Sequence, residues 1–184
     1  MRPVLVSGAA ATLLGACSAG AMPSEPAMGL APVAAPAPAA NLTQRLLSVH
    51  NRERSAAGVP PLRWDPQLAA GADAYAAQLA RSGQLVHSSR QSRPGQGENL
   101  WMGTAGAFTP EQMLQNWANE RRLFRAGTFP NVSTTGNWAD VGHYTQMIWR
   151  STTSVGCGVQ RGARVDVLVC RYSPAGNRDG RAVP

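Results

Sequence analysis

The stretch VGCGVQRGARVDVLVCRY, residues 155–172, decides the fold. Residues 155–161 and 165–172 are two β-rich runs separated by a tight polar turn, which predicts an antiparallel hairpin. A turn at residues 162–165 sets Cys157 directly opposite Cys170. Opposed side chains on antiparallel strands lie close enough for a disulfide with modest adjustment. The chain has three cysteines. Once Cys17 is assigned to an export signal, as argued below, an even pair is left and only one pairing is possible.

Upstream of the hairpin the periodicity is helical. Leu42, Leu46 and Val49 recur at helical spacing within residues 41–57, and Gly58 follows as a C-terminal cap. Residues 59–64, VPPLRW, must run extended because of their prolines. Asp65-Pro66 opens a second helix, with Asp at the N-cap and Pro at the first helical position. Leu68, Ala72, Tyr75, Ala76 and Leu79 form its buried face, and Gly83 ends it. A polar loop over residues 84–97 contains His87 and leads to a short strand over residues 98–101. Thr109 and Gln112 form a capping box for a third helix with Met113, Leu114 and Trp117 inward, expected to run to about Phe124. Tyr144, Met147 and Ile148 predict a short fourth helix. Helices first, an antiparallel sheet late and another helix between them argue for an α+β layered domain.

The N-terminal residues read differently. One Arg precedes an apolar run over residues 4–16, too short for a mature membrane span, which needs about 20 residues. A charged start, an apolar centre and small residues at its end describe an export signal. Two processing readings are open. Leu14-Gly15-Ala16-Cys17 resembles a lipobox, with residues 1–16 removed and Cys17 acylated; Ala19-Gly20-Ala21 offers ordinary cleavage before Met22. The lipobox is the expectation taken, because Cys17 stands where the apolar run stops. Residues 18–40 are dominated by Pro and Ala, cannot bury a core, and read as a semi-rigid tether. Residues 41–184 are expected to form one domain.

All 17 basic residues are Arg, against 10 acidic ones, for a net charge of +7. That balance could favour anionic lipid, polysaccharide or nucleic acid. The Arg residues are scattered, however, with no basic stripe interleaved with aromatics, so a nucleic-acid partner is not expected.

At this point the motifs resemble a known family. GHYTQMIW (residues 142–149) resembles the first hallmark motif of the CAP family, which comprises cysteine-rich secretory proteins, antigen five and pathogenesis-related one. VLVCRYSPAGN (residues 167–177) resembles the second. His50-Asn51 with Arg54, Leu62-x-Trp64-Asp65, His87-Ser88, residues 97–100 (GENL) and Trp117-x-x-Glu120 fall in the family's order and spacing. The resemblance covers residues 41–177. It implies a three-layer α-β-α sandwich with a small, mainly antiparallel sheet. Many eukaryotic members carry three disulfides where this chain can form one, which leaves the loop before Gly142 less tied down.

The resemblance also implies a cleft tetrad of His87, Glu98, Glu120 and His143. Imidazole and carboxylate together suit Zn²⁺ and accept other divalent metals. Two His ligands leave coordination positions for water, which nearby carboxylates can hold or deprotonate. The same four residues also make sense as a buried polar network satisfied by its own hydrogen bonds. His50, one turn after Leu46, reads as a core histidine, and Trp64, Trp101, Trp117 and Trp149 as core aromatics.

Three functions compete. The first is an exported binding or effector module taking a lipid-like small ligand or an envelope polymer, as the family's association with lipid or sterol binding, host interaction and signalling implies. It would be monomeric and held in the cell envelope through Cys17, at the outer membrane or periplasmic face, or else secreted. The second is a metal-dependent peptidase or glycan hydrolase with Glu98 or Glu120 as base. Against it, no Ser or unpaired Cys nucleophile and no compact zinc-hydrolase motif is present, and no catalytic residue is assigned. The third is a structural envelope protein whose positive surface holds anionic polymer.

Overall fold

A computed structural model describes residues 41–184. The export segment, Cys17 and the 18–40 tether lie outside the described residues. Asn41 caps helix α1 (Leu42–Ala56) through a capping box with Gln44 that sequence reading passed over. Leu42, placed above on the apolar stripe, is exposed in the first turn, whereas Leu46 and Val49 are buried. Ala57 closes the helix, followed by Gly58 at φ 64°. The extended segment after it ends in strand β1 (Arg63–Trp64). Helix α2 (Pro66–Ser82) starts on Asp65, whose carboxylate accepts from the amides of Gln67 and Leu68, and stops at Gly83 in the left-handed conformation.

Strand β2 (Gly97–Thr104) is twice as long as the four-residue strand expected, because Met102, Gly103 and Thr104 continue the ladder against β5. Helix α3 (Pro110–Ala118) carries the anticipated Thr109/Gln112 box. It ends earlier than expected, giving way to a 3₁₀ turn over Asn119–Arg122. Strand β3 (Gly127–Thr128), helix α4 (Gly142–Met147), strands β4 (Ser154–Arg161) and β5 (Val165–Ser173) and strand β6 (Ala182–Val183) complete the chain.

The main sheet has the order β1-β4-β5-β2, parallel between β1 and β4 and antiparallel elsewhere. Helix α2 packs on one face, and α1, α3 and α4 lie on the other, giving the α-β-α layering expected. The hairpin register is the one anticipated, with Cys157 opposite Cys170 and Arg161 opposite Asp166. The cysteines form a disulfide, with Cα atoms 4.1 Å apart. At the turn, Arg161 Nε donates to Asp166 Oδ1 over 2.7 Å.

Strand alternation explains the layers. Val155, Cys157, Leu168, Cys170 and Tyr172 face α1 and α3. Val167, Val169 and Leu100 face α2. Gly156 and Gly158 also face α2 and set how near it lies. A Cβ at Gly156 would fall 2.6 Å from the Asp65 carbonyl oxygen, so only glycine allows this approach. Both faces of β5 are covered, and its apolar run is accordingly almost continuous.

Arg54 ties the α1 layer together. It is fully buried and meets carbonyls only: Pro60 from Nε, Met147 and Trp149 from Nη1, and Thr152 from Nη2, at 2.6–3.0 Å. The Met147 carbonyl belongs to the last residue of α4, so Arg54 joins the end of that helix to α1. Burial holds the guanidinium down to about pKa 10. A smaller cluster of Val59, Phe129, Val132, Val141, Tyr144, Ile148, Trp149 and Val183 fills the space under the 124–141 loop.

Candidate functional site

The four tetrad residues resolve into two His–Glu pairs, both beside the first residues of β2. Glu98 is the second residue of that strand and faces α2. Its carboxylate is buried and fully engaged. Oε1 accepts from His87 Nδ1 at 2.9 Å and from the Ser88 amide at 3.0 Å, and Oε2 accepts from the Ser88 hydroxyl at 2.6 Å. Burial by itself would raise the Glu98 pKa. The bonds from His87 and Ser88 and the nearby Arg93 charge outweigh it and hold the carboxyl below its usual range.

Glu120 lies in the 3₁₀ turn after α3 and works the same way on the other side. Oε1 accepts from His143 Nδ1 at 2.5 Å, while Oε2 accepts from the backbone amides of His143 and Tyr144 at 2.9 and 3.0 Å. Those amides are first-turn donors of α4, which has no side-chain cap of its own. Glu120 therefore caps α4 from a distant part of the chain. Tightening α3 into a 3₁₀ turn is what carries Glu120 to this position.

Each imidazole thus has Nδ1 fixed on a carboxylate, which places a proton on Nδ1; in the neutral ring this leaves the lone pair on Nε2. Among the described residues neither Nε2 has a hydrogen-bond partner. His87 is 55% exposed and His143 35% exposed at the side chain. The His143 ring also stacks on Trp117, with centroids 5.7 Å apart and planes within 10°. Asn99 joins the site to the core. Its Nδ2 donates to the His143 carbonyl at 3.0 Å and to the Tyr172 hydroxyl at 3.3 Å. That hydroxyl meets His50 Nε2 at 2.8 Å, and His50 Nδ1 faces the Leu46 carbonyl. His50 is the satisfied core histidine expected, fully buried and held neutral, with burial the main reason its pKa falls to about 4.

The tetrad has two imidazole nitrogens to offer a metal, and its four residues do not bring three ligand atoms within 4.8 Å of one another. The carboxylates stand behind the imidazoles rather than beside them, so His87 and His143 have a nitrogen to offer while Glu98 and Glu120 orient them. Among the described residues, His50, Cys157 and Cys170 alone bring three ligand-type atoms within 4.8 Å of one another. That trio cannot ligate a metal as it stands. Its sulfurs are joined in the disulfide, and both His50 nitrogens are engaged.

Trp117 and Trp149 are buried, while Trp64 and Trp101 pack partly exposed against the core. Ser88, Arg93, Asn99 and Arg171 were missed as site residues in the sequence. The register of the hairpin was the available signal for Arg171, since it pairs directly with Glu98 once β2 is laid beside β5.

Residues 47–172 match the model of the cysteine-rich secretory protein family. Pathogenesis-related protein 1C of Nicotiana tabacum is 38% identical over 145 residues, covering 78% of this chain and 82% of that protein. Pathogenesis-related leaf protein 4 of Solanum lycopersicum is 39% identical over 140 residues, covering 76% and 81%. Among solved structures, the crystal structure of NaASP2 with Zn²⁺ superposes with a TM-score of 0.63 at 27% identity, covering 77% of this chain and 83% of that one. The match spans the helices, the sheet and both His–Glu pairs, and the chain belongs to the cysteine-rich secretory protein, or CAP, family.

Proposed function

We propose that this protein is an exported, lipid-anchored CAP domain acting as a binding module, with a divalent metal held weakly by His87 and His143. The observation that carries the metal reading is the pairing itself. Each histidine gives Nδ1 to a carboxylate and leaves Nε2 as a free donor atom. Carboxylate-backed imidazoles of this kind are the usual form of histidine ligands to zinc, because the carboxylate fixes the ring and raises its basicity. Two neutral imidazoles would supply the anchoring bonds, and a bound cation would supply positive charge to receive an oxygen of the ligand.

The hydrolase alternative is less well supported. Both Glu98 oxygens accept hydrogen bonds and its carboxyl is held acidic, which makes it a weak base. Glu120 is occupied by His143 and by the first turn of α4. Export is supported by the signal-like start, by the disulfide and by membership of a secretory family. The anchor rests on the lipobox at Cys17.

Titration calorimetry with Zn²⁺ tests the metal. The wild type is expected to bind saturably, and His87→Ala and His143→Ala are each expected to weaken binding at least tenfold. No saturable binding to the wild type would leave the two pairs as a structural network that orders the cleft.

A further inference from the structure

On the α2 side of the sheet, a groove of about 520 Å³ runs between α2 and residues 87–92. Gly71, Tyr75 and Gln78 line it from the helix, Ser89 and Ser92 from the loop, and Arg171 from β5. Arg171 is the anomaly there. Its side chain is only 12% exposed, yet among the described residues its guanidinium makes no hydrogen bond, and its Nε is buried without a partner. A buried, unpaired donor on a charged group is expensive, and Arg is normally buried only where its fork of donors is matched.

Two contacts hold the guanidinium without satisfying it. It lies 5.8 Å from the centroid of the Tyr75 ring. Glu98 Oε2 stands 3.7 Å from Nε, beyond hydrogen-bond reach, and is already bonded to the Ser88 hydroxyl. Arg93 offers the comparison. It is equally buried and also near Glu98, but its donors reach the Ser88 hydroxyl and the Gln96 carbonyl. Two guanidinium groups therefore face one carboxylate, and one of the two has its donors to spare. Gly71 makes the room, because a Cβ there would fall 2.7 Å from Arg171 Nη1. The Ser89 hydroxyl accepts from the Ser92 amide, and its own proton is free to donate.

We propose that this groove is an oxyanion site, in which Arg171 receives the carboxylate or phosphate group of a small polar ligand. A planar, two-oxygen group matches the guanidinium fork, and Ser89 supplies a further donor. The volume admits a body the size of one sugar ring. The groove also takes in His87 and Ser88, so it shares one histidine with the metal reading above, but the oxyanion is held without a metal.

The test uses the purified full-length protein in EDTA, with inorganic phosphate and glucuronate as probes, followed by calorimetry and by the Nε–H resonance of Arg171. Saturable binding of both probes is expected, each displacing the other, with a shift of that resonance. Arg171→Leu should weaken binding at least tenfold, and Arg171→Lys should recover part of it. Gly71→Val, which crowds the guanidinium without removing it, should also weaken binding. Arg164→Leu, in the exposed hairpin turn, should leave it unchanged. Absence of saturable binding of either probe, or equal binding by Arg171→Leu and wild type, overturns the proposal. Loss of Zn²⁺ binding with oxyanion binding intact would count against the metal site alone.

Discussion

Lowering the pH should destabilise this fold through His50 before any carboxylate is involved. The ring is fully buried between the Leu46 carbonyl and the Tyr172 hydroxyl, with the Arg54 charge close by. Burial and, to a lesser degree, Arg54 push its pKa from 6.5 to about 4, against the bond to Leu46, which raises it. The folded state therefore keeps the ring neutral at pH values where the unfolded chain already binds a proton. Stability from this group is complete above about pH 6.5 and is lost as pH falls towards 4. At 1.36 kcal/mol per pKa unit the full loss is about 3 kcal/mol, and about 2 kcal/mol of it has gone by pH 5. The depressed carboxyls of Glu98, Glu111 and Asp166 act lower, below their ordinary values near pH 4. Urea unfolding at pH 7.5, 6.0 and 5.0 isolates the histidine window. His50→Gln should be less stable at pH 7.5 and should lose about 2 kcal/mol less than the wild type on going to pH 5, because His87 and His143 are common to both proteins. Parallel pH profiles for the two would refute the assignment of a neutral, buried His50.

Arg54→Leu should destabilise by more than about 4 kcal/mol, read as a shift in urea midpoint, since it strands four carbonyls that now share one buried guanidinium. Arg54→Lys should recover little, because an ammonium cannot span the same four acceptors. Reducing the Cys157–Cys170 bridge opens a loop of 13 residues' separation and should cost about 3 kcal/mol on the chain-entropy model, seen as a lower Tm with far-UV circular dichroism at low temperature unchanged. Full-length protein should fractionate with membranes, and Cys17→Ser should release it or block its maturation. Recovery of a soluble mature chain beginning at Met22 would remove the lipid anchor and leave export standing.

The features legible in the sequence are those fixed by local chemistry. Asp65-Pro66 and the Thr109/Gln112 box announce helix starts because capping is decided within four residues. The register of β4 and β5 was readable because one turn sets it and two cysteines check it. Strands β1, β3 and β6, of two residues each, hold no periodicity to detect. The end of α3 was misjudged for a tertiary reason: the sequence NERR is compatible with helix, but Glu120 is drawn aside to cap α4. The site divides in the same way. The identities of His87, Glu98, Glu120 and His143 came from the family resemblance. That each carboxylate backs its own imidazole depends on three-dimensional placement, as does the lack of a hydrogen-bond partner at Arg171 Nε.

The strand order has a consequence for how the protein is made. In the main sheet, β1 pairs only with β4 and β2 only with β5, so neither early strand has a partner until residues 154–173 exist. Arg54 likewise waits for carbonyls 93–98 residues further on. Contacts this distant in sequence form late, after the cost of closing a long loop has been met. A ribosome-bound chain lacking its last few dozen residues can therefore build helices but no sheet. On the export route proposed above, such a chain would reach the oxidising side before it can lock, and the disulfide would seal the hairpin only once both strands are there.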